Sequence, residues 1–143
     1  DVAVLLSREN LLKAAVSWAY AVRTRVWARR GDGGRGGHEV EDKPVLMLDP
    51  DEIGWFVDKT VRQVDAWRER LRAGALPWLE LRYESLVEAG ETAPLLDFLG
   101  LEPHHAQRFS TRRLATPDYA HVANARALDT RFGDARTGRL FED

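Results

Sequence analysis

The chain contains no cysteine, which excludes disulfides and thiolate metal sites and is compatible with a reducing compartment. It also lacks a charge excess. Lys and Arg number 21 against 23 Asp and Glu, a formal net charge of -2. That balance creates no global field for nucleic acid or an anionic membrane, so neither partner is expected. No apolar run is long enough to span a bilayer, and nothing has the pattern of a signal peptide; a cytoplasmic protein is expected. Lysine is scarce, three residues against eighteen arginines, a bias that hints at a GC-rich genome. What is present is a 44% hydrophobic content over 143 residues, enough for a core and inconsistent with global disorder.

Residues 2–6, Val-Ala-Val-Leu-Leu, form a short continuous apolar run that predicts a strand buried on both faces, as in a parallel sheet. Because Asp1 leads straight into it, the chain reads as a segment of a longer protein. Asn10 is a good helix N-cap. A helical pattern follows to about residue 29, with Leu12, Ala15, Val16, Ala19, Val22 and Val26 on one face. The glycine-rich stretch 31–37 follows a helix rather than a strand and lacks a terminal Gly-Lys-Ser/Thr, so it reads as a connector and not a phosphate loop.

Residues 44–48 predict a short extended piece. Asp49, Pro50 and Glu52 then open a long helix in the manner of a capping box. Its predicted inner face carries Ile53, Val57, Val61, Val64, Trp67 and Leu71, and Gly74 ends it. Residues 78–83 read as a second core strand. Residues 91–99 read as a short helix closed by Gly100, residues 103–109 as another, and residues 118–128 as a helical tail. Two apolar strands alternating with helices imply an α/β architecture with a parallel sheet. Two strands are too few for a stable sheet, so further strands are expected in sequence outside the chain.

The chemistry concentrates at Leu5-Leu6-Ser7-Arg8-Glu9-Asn10-Leu11-Leu12. An arginine leaves the carboxyl end of a strand where a helix begins, and ligands in open α/β sheets sit at such ends. A helix N-terminus offers N–H groups and a favourable dipole to an anion. Arg8 adds a permanently charged fork suited to two phosphate oxygens, and Ser17, two helical turns on, adds a hydroxyl. The competing reading is an ordinary ion-paired arginine and a serine bonded back to its own helix.

Arg8 through Ser17, with the closing Ala15-Val16-Ser17, resembles the 3'-phosphate segment of sulfotransferases that use 3'-phosphoadenosine 5'-phosphosulfate (PAPS). Its nine-residue Arg-to-Ser interval is similar to that of the bacterial trehalose-type carbohydrate enzymes and one longer than in the cytosolic steroid and phenol enzymes. Ala19-Tyr20-Ala21-Val22-Arg23-Thr24-Arg25-Val26-Trp27 is also similar to the same group, which tends to have Arg-x-Thr-x-x-Trp there. Downstream, Arg82-Tyr83-Glu84-Ser85-Leu86 and Phe98-Leu99-Gly100-Leu101 resemble that family's "RYEDL … FLGL" stretch. His121-Val122-Ala123-Asn124 is similar to the Ile-x-Asn that precedes its closing loop.

The resemblance implies the C-terminal portion of a P-loop-type three-layer parallel sheet flanked by helices, with residues 1–143 as the C-terminal part of one domain. It implies PAPS as cosubstrate, no metal, and a small-molecule or carbohydrate acceptor. Arg8 and Ser17 would hold the 3'-phosphate. Tyr83 and Thr111 would meet adenine, and Arg112 or Arg113 would touch the phosphate. The phosphosulfate loop and the catalytic base have no counterpart in this chain. His38, His104, His105 and His121 match no motif, and this piece alone is expected to be inactive. Two rivals remain: a fragment of a P-loop-type nucleotide kinase, and a helical interaction module presenting Trp18, Trp27, Trp55 and Trp67.

Overall fold

A computed structural model describes residues 1–25, 44–88, 90–102 and 119–141, without the side chains of residues 87 and 88. The described chain is a mixed helix-and-strand structure with a two-stranded parallel sheet. It divides into two compact units, residues 1–9 with 58–109 and residues 10–57 with 110–143. The glycine-rich stretch 31–37, Val26, Trp27, His38 and residues 103–118 lie outside the described residues.

In the first unit, β1 (Ala3–Ser7) pairs in parallel with β2 (Trp78–Arg82), from Ala3 opposite Trp78 to Ser7 opposite Arg82. The pairing follows from two apolar runs separated by enough chain for a crossover. The expectation that β1 is buried on both faces fails. Val4 is 44% and Leu6 49% exposed. Among the described residues β1 has a single hydrogen-bonded neighbour, and the side chains of Val4 and Leu6 alternate away from Ala3, Leu5 and Ser7. Leu81 of β2 is buried, as are Leu86 and Leu96.

A single π-helical turn, Glu84–Glu88, follows β2 almost immediately. The helix α3 (Ala93–Leu99) comes next in this unit. It starts two residues later than predicted, because Thr92 takes the N-cap position and Pro94, which has no N–H to lose, sits in the first turn. Gly100 closes it at φ 65°, with its N–H on the carbonyls of Asp97 and Leu96, as its glycine predicts.

The second unit holds the largest buried side chains, Leu12, Leu48, Ile53, Leu128 and Val16. Its first helix, α1 (Leu11–Thr24), is capped by Asn10, whose Oδ1 accepts from the Lys13 N–H at 2.8 Å. Leu12, Ala15, Val16 and Ala19 are buried as the periodicity predicts, whereas Val22 is exposed and Ala21 takes its place inside. The long helix α2 (Pro50–Ala73) begins at the predicted proline, with Asp49 Oδ1 accepting from Asp51 N–H. Glu52 does not complete a capping box as drawn from the sequence; its carboxylate accepts from Arg23. The predicted apolar face of α2 is buried at Ile53 and Val57 but exposed by Trp67. There the helix belongs to the first unit, whose core is smaller.

The helix predicted over residues 118–128 is displaced. The observed α4 is Ala125–Phe132. Residues 119–124 are spent on a turn: Tyr119 adopts φ 50°, Val122 N–H donates to the Tyr119 carbonyl at 2.8 Å, and Val122 bridges in parallel to Leu46. Asn124 locks this turn to the extended piece 44–48. Its Oδ1 accepts from Leu48 N–H at 3.0 Å and its Nδ2 donates to the Leu48 carbonyl at 2.8 Å. With both ends of the amide engaged, Asn124 occupies the N-cap position of α4 without a side-chain cap bond.

Candidate functional site

The register of β1 and β2 decides what stands at their carboxyl ends. Ser7 lies opposite Arg82, so the next residues, Arg8 and Tyr83, leave neighbouring strands side by side, strands in such a ladder being about 4.8 Å apart. The Arg8 Cζ sits 3.7 Å from the Tyr83 ring centroid. At that separation the guanidinium carbon touches the ring face. Arg8 is exposed and Tyr83 half-buried.

The acidic residues nearby in sequence are engaged elsewhere. Glu9 pairs through its carboxylate with Arg82, and its backbone N–H donates to Glu84 Oε2 at 3.1 Å. Glu84 thus orders the strand ends. Among the described residues, no carboxylate pairs with Arg8. The strand ends therefore present one guanidinium compensated by Glu9 and one resting on an aromatic face.

Beneath this pair runs a network that the sequence reading did not single out. Ser7, buried, donates from Oγ to Glu80 Oε1 at 2.8 Å. Arg68 from α2 forks onto the same carboxylate, Nε to Oε2 at 3.0 Å and an η nitrogen to Oε1 at 2.6 Å, while its other η nitrogen reaches Asp65 at 3.0 Å. The Arg68 fork, followed by the Ser7 hydroxyl, holds the Glu80 carboxyl below the ordinary carboxylate range despite partial burial. The available signal was a lone glutamate between leucines in an apolar strand.

Because the folded-state pKa of Glu80 is depressed, its contribution is complete above the unfolded value. It is lost as pH falls through the folded value, that is, in the acid range below about pH 4.3. Glu80→Gln should cost about 1–2 kcal/mol at pH 7, given the partial exposure of both partners, and nearly nothing near pH 2. Denaturant midpoints of both proteins at the two pH values check this; equal penalties at both would contradict it.

The second unit carries Ser17, exposed on α1. Thr24 and Thr130 bond back to carbonyls four residues earlier; among the described residues Ser17 has no such bond, so its hydroxyl is available. The α1 N-terminus differs from its sequence reading. Lys13 N–H is taken by Asn10 Oδ1 at 2.8 Å and Leu12 N–H by the Thr137 carbonyl at 3.0 Å. Asn10 Nδ2 also donates to the Arg139 carbonyl at 2.7 Å. The Thr137 carbonyl and the Asn10 side chain thus occupy two N–H groups that the sequence offered to an anion.

Of the other predicted residues, Thr111, Arg112 and Arg113 lie outside the described residues, as do His104 and His105. His121 is buried, edge-on to Tyr20 at 4.5 Å and stacked near Tyr119 at 6.2 Å. Burial also raises the Tyr20 hydroxyl pKa, and that hydroxyl donates to the Pro44 carbonyl at 3.1 Å. Trp18 packs against Phe56 at 4.9 Å and Trp55 at 6.1 Å. Among the described residues, no group of three or more potential metal ligands converges, and no helix is long and apolar enough to cross a membrane.

A family model described as Stf0 sulphotransferase matches residues 1–125. No curated protein and no solved structure matches the chain.

Proposed function

Because the chain belongs to the Stf0 sulphotransferase family, we propose that the protein transfers a sulfuryl group from PAPS to an acceptor hydroxyl, and that this chain supplies the 3'-phosphate and adenine side of the site. The observation that carries this reading is Arg8: an exposed guanidinium at a strand's carboxyl end, free of carboxylates among the described residues and set on Tyr83. Such a donor set fits a phosphate dianion, which a two-pronged guanidinium grips better than a point charge does. When bound, PAPS supplies the sulfuryl group.

The chain's own residues bind and orient. Arg8 neutralises the 3'-phosphate; the assignment of Ser17 to the nucleotide rests on the family resemblance of residues 8–17. Thr111 and Arg112 complete the nucleotide side. The ring face that Arg8 covers is closed to a base, so Tyr83 meets adenine through its hydroxyl or its other face. The proposed setting is the C-terminal part of one domain, built on a P-loop-type three-layer sheet. The phosphosulfate loop and the base that deprotonates the acceptor belong to its N-terminal half. The family's carbohydrate chemistry favours a sugar or small-metabolite hydroxyl as acceptor.

Thermal denaturation of the full-length protein tests the donor. At about 100 times its Kd, 3',5'-adenosine bisphosphate should stabilise the fold by about 2.7 kcal/mol, a shift of several degrees, while ATP at the same concentration gives little. Equal stabilisation by ATP would favour a nucleotide kinase. No response to either nucleotide would contradict the proposal.

A further inference from the structure

We propose that Tyr83 is a positioning residue for Arg8: its ring holds the guanidinium face so that the donor edge is ordered for the 3'-phosphate before the nucleotide arrives. The inference rests on the reading that Arg8 meets that phosphate, and adds how the arginine is made ready. Three observations carry it. The parallel register delivers residues 8 and 83 side by side, since Ser7 and Arg82 are partners. The Arg8 Cζ lies 3.7 Å from the Tyr83 centroid, direct contact rather than mere proximity. The other guanidinium at the strand ends, that of Arg82, is held by Glu9, and Glu84 holds the Glu9 backbone, so both flanks of the stacked pair are tied.

An unbraced arginine has many rotamers, and ordering it on binding subtracts from affinity. A ring beneath the guanidinium removes part of that cost in advance while leaving the in-plane donors unused, because the cation–π contact employs the face and phosphate hydrogen bonding employs the rim. Ser7, anchored to Glu80 and through it to Arg68, makes the residue before Arg8 a fixed point.

The test is isothermal titration of the full-length protein with two probes, 3',5'-adenosine bisphosphate and adenosine 5'-phosphate, which differ only in the 3'-phosphate. Tyr83→Leu should weaken the bisphosphate about 5- to 30-fold more than it weakens adenosine 5'-phosphate, the range of a partly desolvated cation–π contact, because any adenine contact of Tyr83 is common to both probes. Tyr83→Phe keeps the ring and should stay within about threefold for both probes. In an Arg8→Ala background, Tyr83→Leu should cost the bisphosphate no more than it costs adenosine 5'-phosphate.

Equal losses for both probes would overturn the brace and assign Tyr83 to adenine alone. Additive losses in the double variant would also overturn it. If Arg8→Ala itself leaves bisphosphate affinity unchanged, the phosphate reading of Arg8 fails, which is a separate outcome. Should Tyr83→Leu not fold, Tyr83→Met fills the same space without a ring and carries the same comparison.

Discussion

Arg8→Ala in the full-length protein should weaken nucleotide binding by about two orders of magnitude while changing acceptor affinity by less than about threefold. The size follows from what is removed. A hydrogen bond to a charged group contributes about 1.5–3 kcal/mol, and a guanidinium fork can offer two to one phosphate. Part of that is recovered because water reaches an exposed site, and each 1.4 kcal/mol retained is a factor of ten. Arg8→Lys separates charge from geometry: an ammonium keeps the charge but neither forks nor stacks flat on Tyr83, so it should recover only about one of the two orders. Initial-rate kinetics with donor and acceptor varied in turn read this as a rise in the donor KM with the acceptor KM nearly constant. A parallel rise in both would indicate a general disturbance of the fold.

Gly138→Ala should destabilise the protein by about 2–4 kcal/mol, a large penalty for adding one methyl group near the surface. Gly138 sits at φ 79°, where a side chain costs about 1–2 kcal/mol. An added Cβ would also meet Asn10 Cγ at 2.6 Å and Nδ2 at 2.7 Å. Asn10 cannot simply rotate aside. Its Oδ1 caps α1 at Lys13 and its Nδ2 holds the Arg139 carbonyl, and a lost cap alone costs about 0.5–2 kcal/mol. Thermal or denaturant midpoints measure the loss. In an Asn10→Ala background the penalty should shrink toward the backbone strain alone, because the obstructing amide is gone. A Gly138→Ala penalty below about 0.5 kcal/mol would show that the loop yields freely.

Near-neighbour chemistry was the legible part of this fold. The first strand, the Asn10 cap, the Asp49-Pro50 helix start and the Gly100 stop each depend on a few adjacent residues; the last three stand where the pattern puts them, and the strand, read at residues 2–6, runs over 3–7. Arg8 and Tyr83 were each legible as candidates, but their contact was not, because it depends on a register between strands 75 residues apart. Ser7 and Glu80 were overlooked for the same reason, being 73 residues apart.

Distance in sequence also hid the fate of the α1 N-terminus. Nothing near Leu12 announces that the Thr137 carbonyl will occupy its N–H. The displaced last helix has a related cause. Residues 119–124 have helical composition, but Val122 and Asn124 are recruited by Leu46 and Leu48, and these tertiary bonds outweigh a weak local preference. The exposed face of β1 departs from its apolar pattern because composition records what a residue can bury, not what is present to bury it.

The central claim is that Arg8 recognises the 3'-phosphate, and the most direct measurement is the ratio of affinities for 3',5'-adenosine bisphosphate and adenosine 5'-phosphate, determined by isothermal titration in the wild type and in Arg8→Ala. The wild type should prefer the bisphosphate by about two orders of magnitude, and Arg8→Ala should reduce that preference to within about tenfold, with the affinity for adenosine 5'-phosphate nearly unchanged. An undiminished preference in Arg8→Ala would contradict the account.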